Sequence, residues 1–370
     1  MRYLNLSMFT SKNAPIDPLA RAQNFAQDLG VGLPILLAPM AGACPPSLSI
    51  AVANAGGFGA CGALMMTPEE IAAWANEFRS ASEGKFQINL WVPDPAPIRN
   101  SELERQQREF LQSWGPAISP EAGDARLPDF EAQCQAILKA APRAVSSIMG
   151  LYPAAFVSEL KARGILWFAT ATTVSEAKAA EDGGADAIIA QGMEAGGHRG
   201  AFHAEDAEMN MVGLISLLPQ VVDAVSIPVI ATGGIADSRG IAAALILGAS
   251  AVQIGTGFLR CPEAKIHPAY ADRLARTQAH ETLITRAFSG RPGRSVATEY
   301  VRAANSPTAP PAAPYPVQRG LTRAMRDAAQ KTGNSDRMQL WAGQSARLAQ
   351  AHPAEILTQE LWQGATRLLS

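Results

Sequence analysis

Ile227-Pro228-Val229-Ile230-Ala231-Thr232-Gly233-Gly234-Ile235, then Asp237-Ser238-Arg239-Gly240 with the apolar stretch Ile241 to Leu247, then Ala251-Val252-Gln253-Ile254-Gly255-Thr256-Gly257, spells a strand, a helix and a second strand. The first and last runs are short and rich in β-branched residues, the middle one has helical spacing, and Gly248 closes it. The same alternation recurs along the chain. Eight apolar runs occur, at 33–40, 58–64, 86–92, 144–150, 165–171, 187–192, 227–232 and 251–257. Runs apolar along their whole length suit parallel strands covered on both faces. Eight of them predict a closed (β/α)₈ TIM barrel, with a doubly wound open sheet as the alternative.

The bulk properties agree with such a chain. A hydrophobic fraction of 48% and a charged fraction of 17% supply ample core and exclude the signature of disorder. Thirty-one basic against thirty-three acidic side chains leave a net charge of −2, so no broad positive field attracts a nucleic-acid backbone. Cys44, Cys61, Cys134 and Cys261 are too scattered for a zinc site or a redox motif, and reduced thiols in a cytoplasmic protein fit best. Met1 to Asn5 lacks the charged and apolar regions of a secretory leader, and the apolar run Leu33 to Met40 is too short to span a bilayer. The expected partners are therefore small molecules, with the chain a monomer or homodimer.

Thr67-Pro68-Glu69-Glu70 marks a helix start, with a cap, a first-turn proline and acids at the positive end. Between the third and fourth strands, residues 94–141 form a long crossover insertion, with helices expected at Glu102 to Trp114 and Phe130 to Ala140 and an exposed loop at Gly115 to Pro128. The barrel is expected over 1–262 and a helical C-terminal extension packing on it as a cap over 263–370. Within that extension Ala303 to Pro316 should be extended, and helices should cover Arg319 to Lys331, Ser335 to Gln350 and Pro353 to Leu369.

Three glycine-rich segments then fall after strands six, seven and eight, at the barrel face where such enzymes build their active sites. Thr232-Gly233-Gly234-Ile235 and Gln253-Ile254-Gly255-Thr256-Gly257 let backbone N–H groups approach an anion, with a helix start behind the first, and so make a phosphate cradle; tight turns are the bland reading. The third, Gln191-Gly192-Met193-Glu194-Ala195-Gly196-Gly197-His198, carries an imidazole. Gly196 and Gly197 allow the chain to lie flat against a planar ligand and turn His198 over the barrel mouth. With an unperturbed pKa of about 6.5 an imidazole can take a proton from a carbon acid, which makes His198 the candidate base. Glu194 either orients it or binds a substrate, or is a solvated or helix-capping carboxylate. Asn89 and Gln191 put amides at strand ends of the same mouth, where a polar planar ligand or neighbouring backbone would satisfy them. His203, His267, His280 and His352 have no spacing that suggests a metal site and read as surface or packing residues; Cys44 and Cys61 read as buried small hydrophobes.

The runs Ala38-Pro39-Met40-Ala41-Gly42, Ala190 to His198 and Gln253-Ile254-Gly255-Thr256 resemble the nitronate monooxygenases, as do Arg286 to Pro292, Pro314-Tyr315-Pro316 and Leu340-Trp341-Ala342-Gly343-Gln344 in the tail. The resemblance spans nearly the whole chain and is of the class I type. It implies non-covalent FMN, with Pro39, Met40 and Ala41 beside the flavin ring, Asn89 and Gln191 on its polar edge, Gly192, Gly196 and Gly197 against the cofactor, and Gly233, Gly234, Gln253, Ile254, Gly255 and Thr256 at the phosphate. It implies that His198 deprotonates a nitroalkane, that a nitronate instead gives an electron directly to FMN, and that O2 then yields a carbonyl compound and nitrite. Propionate 3-nitronate or nitroalkanes are possible substrates by the same resemblance, and Tyr315 would be a lid residue near them. Two departures bear on the substrate: Val317-Gln318-Arg319 stands where leucine and asparagine are expected at the outer positions, and Trp91-Val92-Pro93 follows Asn89-Leu90.

The FMN-dependent enoyl-acyl-carrier-protein reductases share the Glu194 to His198 type of motif. They carry glutamate where this chain has Gln191, and the extended tail fits the nitronate enzymes better. A flavin-binding regulatory protein without turnover is the reading from another class, and the intact His198 argues against it.

Overall fold

All eight apolar runs form strands, in the order and direction a barrel needs. The structure, a computed structural model, describes residues 17–370, so the reading of Met1 to Asn5 lies outside the described residues. The barrel strands are β1 (Ile35–Leu37), β2 (Phe58–Gly62), β3 (Lys85–Trp91), β4 (Ala144–Ile148), β5 (Leu166–Ala171), β6 (Ala187–Gln191), β8 (Val229–Thr232) and β9 (Ala251–Ile254); a two-residue strand β7 (Gly197–His198) lies outside the barrel. Neighbours pair in parallel, and the barrel closes where β1 meets β9, with Leu36 opposite Gln253 on one side and Phe58 on the other. Helices on the outer face complete a (β/α)₈ TIM barrel.

The barrel interior changes character with height. At the floor Leu36, Phe58, Phe168, Ile189 and Ile230 pack as one apolar layer, and the helix Pro18–Leu29 plugs it from below with Phe25 and Leu29. Sequence reading missed this helix, although Asp17 caps its start, Pro18 opens it and Gly30 ends it in the left-handed region at φ 82°. Higher up the interior is polar. Gln87 Nε2 donates across the barrel to Gln253 Oε1 at 2.9 Å, and Asn89 Nδ2 donates to Ser146 O and Oγ at 3.0 and 3.1 Å. Buried amides cost free energy unless bonded, and the NH2 groups of Gln87 and Asn89 are bonded within this layer, which leaves a polar platform under the mouth.

Thr67 and Glu70 form the reciprocal cap expected of a helix start at Pro68, and Asp237 caps the helix Ser238–Ile246. The crossover insertion contains the helices Ser101–Leu111 and Phe130–Ala140, joined by a mostly exposed loop with one short turn, Pro120–Gly123. The tail is less helical than its periodicity predicts. Helices Val317–Leu321, Arg323–Thr332 and Ala354–Leu369 are present, but 282–296 folds into strands β10 (Thr282–Thr285) and β11 (Gly293–Val296), which pair antiparallel with β7 as β10-β11-β7. The expected helix from Ser335 to Gln350 is also absent apart from a short turn, Ala346–Leu348. Its backbone is bonded elsewhere: Val296 N donates to Leu340 O, Gly343 N to Thr256 Oγ1 and Gln344 N to Glu194 O. Tertiary partners thus replace the i−4 ladder, and Gly343 inside the stretch weakens the helical option. Among the described residues no helix is long and apolar enough to cross a membrane.

Candidate active site

The polar platform opens into a cavity of about 820 Å³ at the C-terminal ends of the strands. That volume lies within the range of cofactor and substrate sites. Pro39, Met40, Ala41, Asn89, Gln191, Gly196, Gly197, His198, Gly233, Gly234, Gln253, Gly255 and Thr256 all line it, so one chamber gathers segments spread over more than half the chain. Gly192, Ile254 and Tyr315 do not line it. A side chain at Gly192 would strike Glu194 Oε2 at 2.3 Å, so this glycine serves the packing of its loop. Ile254 is a buried core residue of β9, and Tyr315 stands behind Trp91, their rings 5.5 Å apart.

His198 is held on every side. Gly197, at φ 75°, turns the chain so that β7 pairs with Gly293 and Arg294 of β11. The imidazole lies between two indoles, 4.7 Å from Trp91 edge-on and 4.8 Å from Trp341. Its Nε2 lies 2.8 Å from Ser289 Oγ, and that hydroxyl also lies 3.2 Å from Arg291 O. With Ser289 donating to Arg291 O and accepting from Nε2–H, the Nδ1 lone pair is free to take a proton. Ser289 and Trp341 fall in runs already quoted for the resemblance, but nothing local marks them as neighbours of a histidine so far upstream.

The ring keeps some surface open to the cavity, yet it sits deep below bulk water. Burial, and then the charges of Arg291 and Arg319, lower its pKa to about 3, far from the ordinary value expected from sequence. The imidazole is therefore neutral throughout the physiological range. Stability should follow with a definite sign. Below about pH 6.5 the unfolded chain binds a proton at this residue and the folded chain does not, so the stability present above that pH is lost as pH falls towards 3, by up to about 1.4 kcal/mol per pH unit. Melting temperatures between pH 7 and pH 4 should accordingly fall less steeply for His198→Asn than for the parent; parallel curves would contradict the neutral, buried imidazole.

The two amides have different duties. Gln191 bonds its own downstream loop: its Oε1 accepts from Gly200 N at 2.8 Å and Arg199 Nη1 at 3.0 Å, and its Nε2 donates to His198 O at 3.2 Å. It fixes the chain on either side of His198. Asn89, by contrast, has no partner for its amide oxygen among the described residues and lines the cavity. Glu194 proves to be a helix acid, with both carboxylate oxygens accepting from Leu214 N at the start of the helix Leu214–Ala224.

The glycine loops after β8 and β9 lie side by side. Gly233 and Gly234 take φ values of 112° and 72°, and a side chain at Gly233 would come within 3.1 Å of Gly192 O. Among the described residues the N–H groups of Gly234 and Ile235 reach no acceptor in the protein, which suits an anionic group. The helix behind contributes less than sequence suggested, because Asp237 already accepts from Arg239 N and Gly240 N. Gln253 likewise turns its side chain inward to Gln87. The tail fastens both loops, through Ser345 Oγ donating to Gly234 O and Gly343 N donating to Thr256 Oγ1.

Among the other candidates, Cys44 and Cys61 are buried thiols whose pKa values burial raises, to about 11 for Cys44. They border the cavity but are protonated near neutrality. His352 is an exposed partner of Glu360, whereas His267 departs from the bland reading: it caps the helix Pro268–Arg276 through Nδ1 and lines the outer cavity.

The nitronate monooxygenase family model matches residues 24–364. A probable nitronate monooxygenase of Staphylococcus aureus (strain Newman) is 36% identical over 334 residues, covering 90% of this chain and 94% of the relative. Among solved structures, the nitroalkane oxidase of Streptomyces ansochromogenes superposes with a TM-score of 0.84 at 36% identity, covering 93% of this chain and all of the other. FabK from Thermotoga maritima follows with a TM-score of 0.73 at 28% identity, covering 94% and 96%. The chain, with its barrel, its glycine loops and its enclosed histidine, is an oxidoreductase that belongs to the nitronate monooxygenase family.

Proposed function

We propose that the protein binds FMN without a covalent link and oxidises alkyl nitronates with O2 to a carbonyl compound and nitrite, taking neutral nitroalkanes after deprotonation by His198. The observation that carries this reading is an uncharged imidazole held between Trp91 and Trp341 in a cavity whose wall also offers unengaged backbone donors at Gly234 and Ile235. FMN supplies the electron acceptor for the substrate and the donor for O2. The residues fit such a group. Asn89 offers an open amide oxygen to a ring edge, Pro39, Met40 and Ala41 offer a wall for the ring, and the loops carrying Gly233–Gly234 and Gln253 to Thr256 would border a phosphate, with unengaged N–H groups at Gly234 and Ile235. Gly192, Gly196 and Gly197 shape the adjoining loop, with Gly196 packed so closely that a side chain would meet Gly343 N at 2.4 Å. Tyr315 borders the substrate space through Trp91 and not directly.

The chain's own contribution is to position and deprotonate. A carbon acid near neutral His198 loses a proton to the free ring nitrogen, and the resulting imidazolium faces the new nitronate anion. Each charge offsets the cost of burying the other. The indoles exclude water, and Ser289 prevents the ring from turning away.

The purified protein should be yellow and release FMN on denaturation, and an ethyl or propyl nitronate should drive O2 consumption with nitrite release. A colourless protein that cannot be reconstituted would sink the cofactor reading. Oxidation of NAD(P)H driven by an enoyl thioester, without nitrite from nitronates, would replace it with the reductase, and activity with neither would favour a non-catalytic flavin protein.

A further inference from the structure

Trp91 ends β3 where that strand leaves the barrel, opposite Ile148. Its indole lines two spaces at once: the main cavity on the His198 side, and a second void of about 30 Å³ behind it. The second void is bordered mainly by apolar groups, among them Leu64, Leu90, Val92, Leu127 and Phe130. Three lining residues besides Trp91 carry polar groups: Gln133, whose Nε2 is spent on Ala63 O, Leu64 O and Met66 O, Asp94, whose carboxylate pairs with Arg291, and Tyr315, whose hydroxyl has no partner among the described residues; the rest of the wall is apolar. Tyr315 closes the far wall, buried against Trp91. One ring therefore stands between the base and an apolar recess.

From this partition we infer that Trp91 is the specificity-determining residue that limits the length of the substrate's carbon chain, and that the recess behind it is a latent pocket for an apolar tail. The inference rests on the nitronate reading above. A substrate carbon must approach His198 to lose its proton, and the indole edge lies 4.7 Å from that ring, centre to centre. A substituent directed along β3 therefore meets the indole within one or two carbons. Removing the indole joins the two spaces, and the tail then leaves water for Leu64, Leu90 and Phe130. Each methylene entering such a pocket is worth about fourfold in affinity.

The test compares Trp91→Ala with the parent on straight-chain nitronates from ethyl to hexyl, and measures the binding of the matching n-alkyl carboxylates, unreactive planar anions, by ligand-observed NMR. The expected result is a rise on the order of tenfold or more in the hexyl-to-ethyl ratio of kcat/KM, accompanied by the same rise in the carboxylate affinity ratio. Trp91→Phe, which keeps a ring in place, should fall between, and Trp91→Leu carries the comparison if the alanine variant does not fold. An unchanged chain-length profile in a folded variant overturns the inference while leaving the nitronate reading standing. A shifted carboxylate profile in proteins that turn over no nitronate keeps the wall and discards the reaction.

Discussion

His198→Asn should lower kcat/KM for a neutral primary nitroalkane by about 10²- to 10⁴-fold, while turnover of the pre-formed nitronate falls by less than about tenfold. Only the neutral substrate has a proton to lose, and among the residues lining the cavity His198 is the one enclosed between rings with a ring nitrogen left unengaged. Asparagine can keep a hydrogen bond to Ser289 but offers no basic nitrogen. The measurement is O2 uptake with both forms of one substrate at a pH where each persists through the assay. Equal losses on the two would show that His198 organises the site and does not act as the base.

Asp94→Ala should cost about 3–5 kcal/mol of stability, towards the lower figure because the carboxylate keeps partial contact with water. Its partner Arg291 is 1% exposed, with Nη1 donating to Asp94 Oδ1 at 2.6 Å and Nη2 donating to Ala201 O at 2.9 Å. Burial pulls the guanidinium's pKa down and Asp94 pushes it back up, so removing the acid strands a cation in the interior. The urea midpoint should shift down at unchanged slope. The double variant Asp94→Ala with Arg291→Met should recover much of the loss, because it buries no unpaired charge. A midpoint that does not move in the single variant would show that water already compensates the pair.

The barrel was legible because parallel strands covered on both faces are apolar over most of their length, and a run such as Ala187 to Ala190 states that locally. The glycine loops were legible for a related reason: Gly233 and Gly234 occupy left-handed conformations that their residue type announces. What sequence could not show depends on contacts with no period. Ser289 reaches His198 across 91 positions, and β7 is too short to leave any pattern. Ser335 to Gln350 carried a helical pattern that the loops it fastens override. The lowered pKa of His198 is invisible in sequence for the same reason, since its burial and the approach of Arg291 and Arg319 arise only in the folded chain. Trp91 was visible as an oddity in its strand, but its place between two voids was not.

The fastening of the mouth loops by the tail also sets an order of events during synthesis. The last barrel strand ends at Ile254, whereas Gly343 and Ser345, which hold Thr256 and Gly234, emerge roughly 90 residues later. At about 5–20 residues per second, a nascent barrel would wait on the order of 5 to 20 s for those fasteners. Throughout that interval His198 would lack the indole of Trp341 that covers one of its sides. The strands can close early, but the enclosure of this histidine is completed only when translation is almost done.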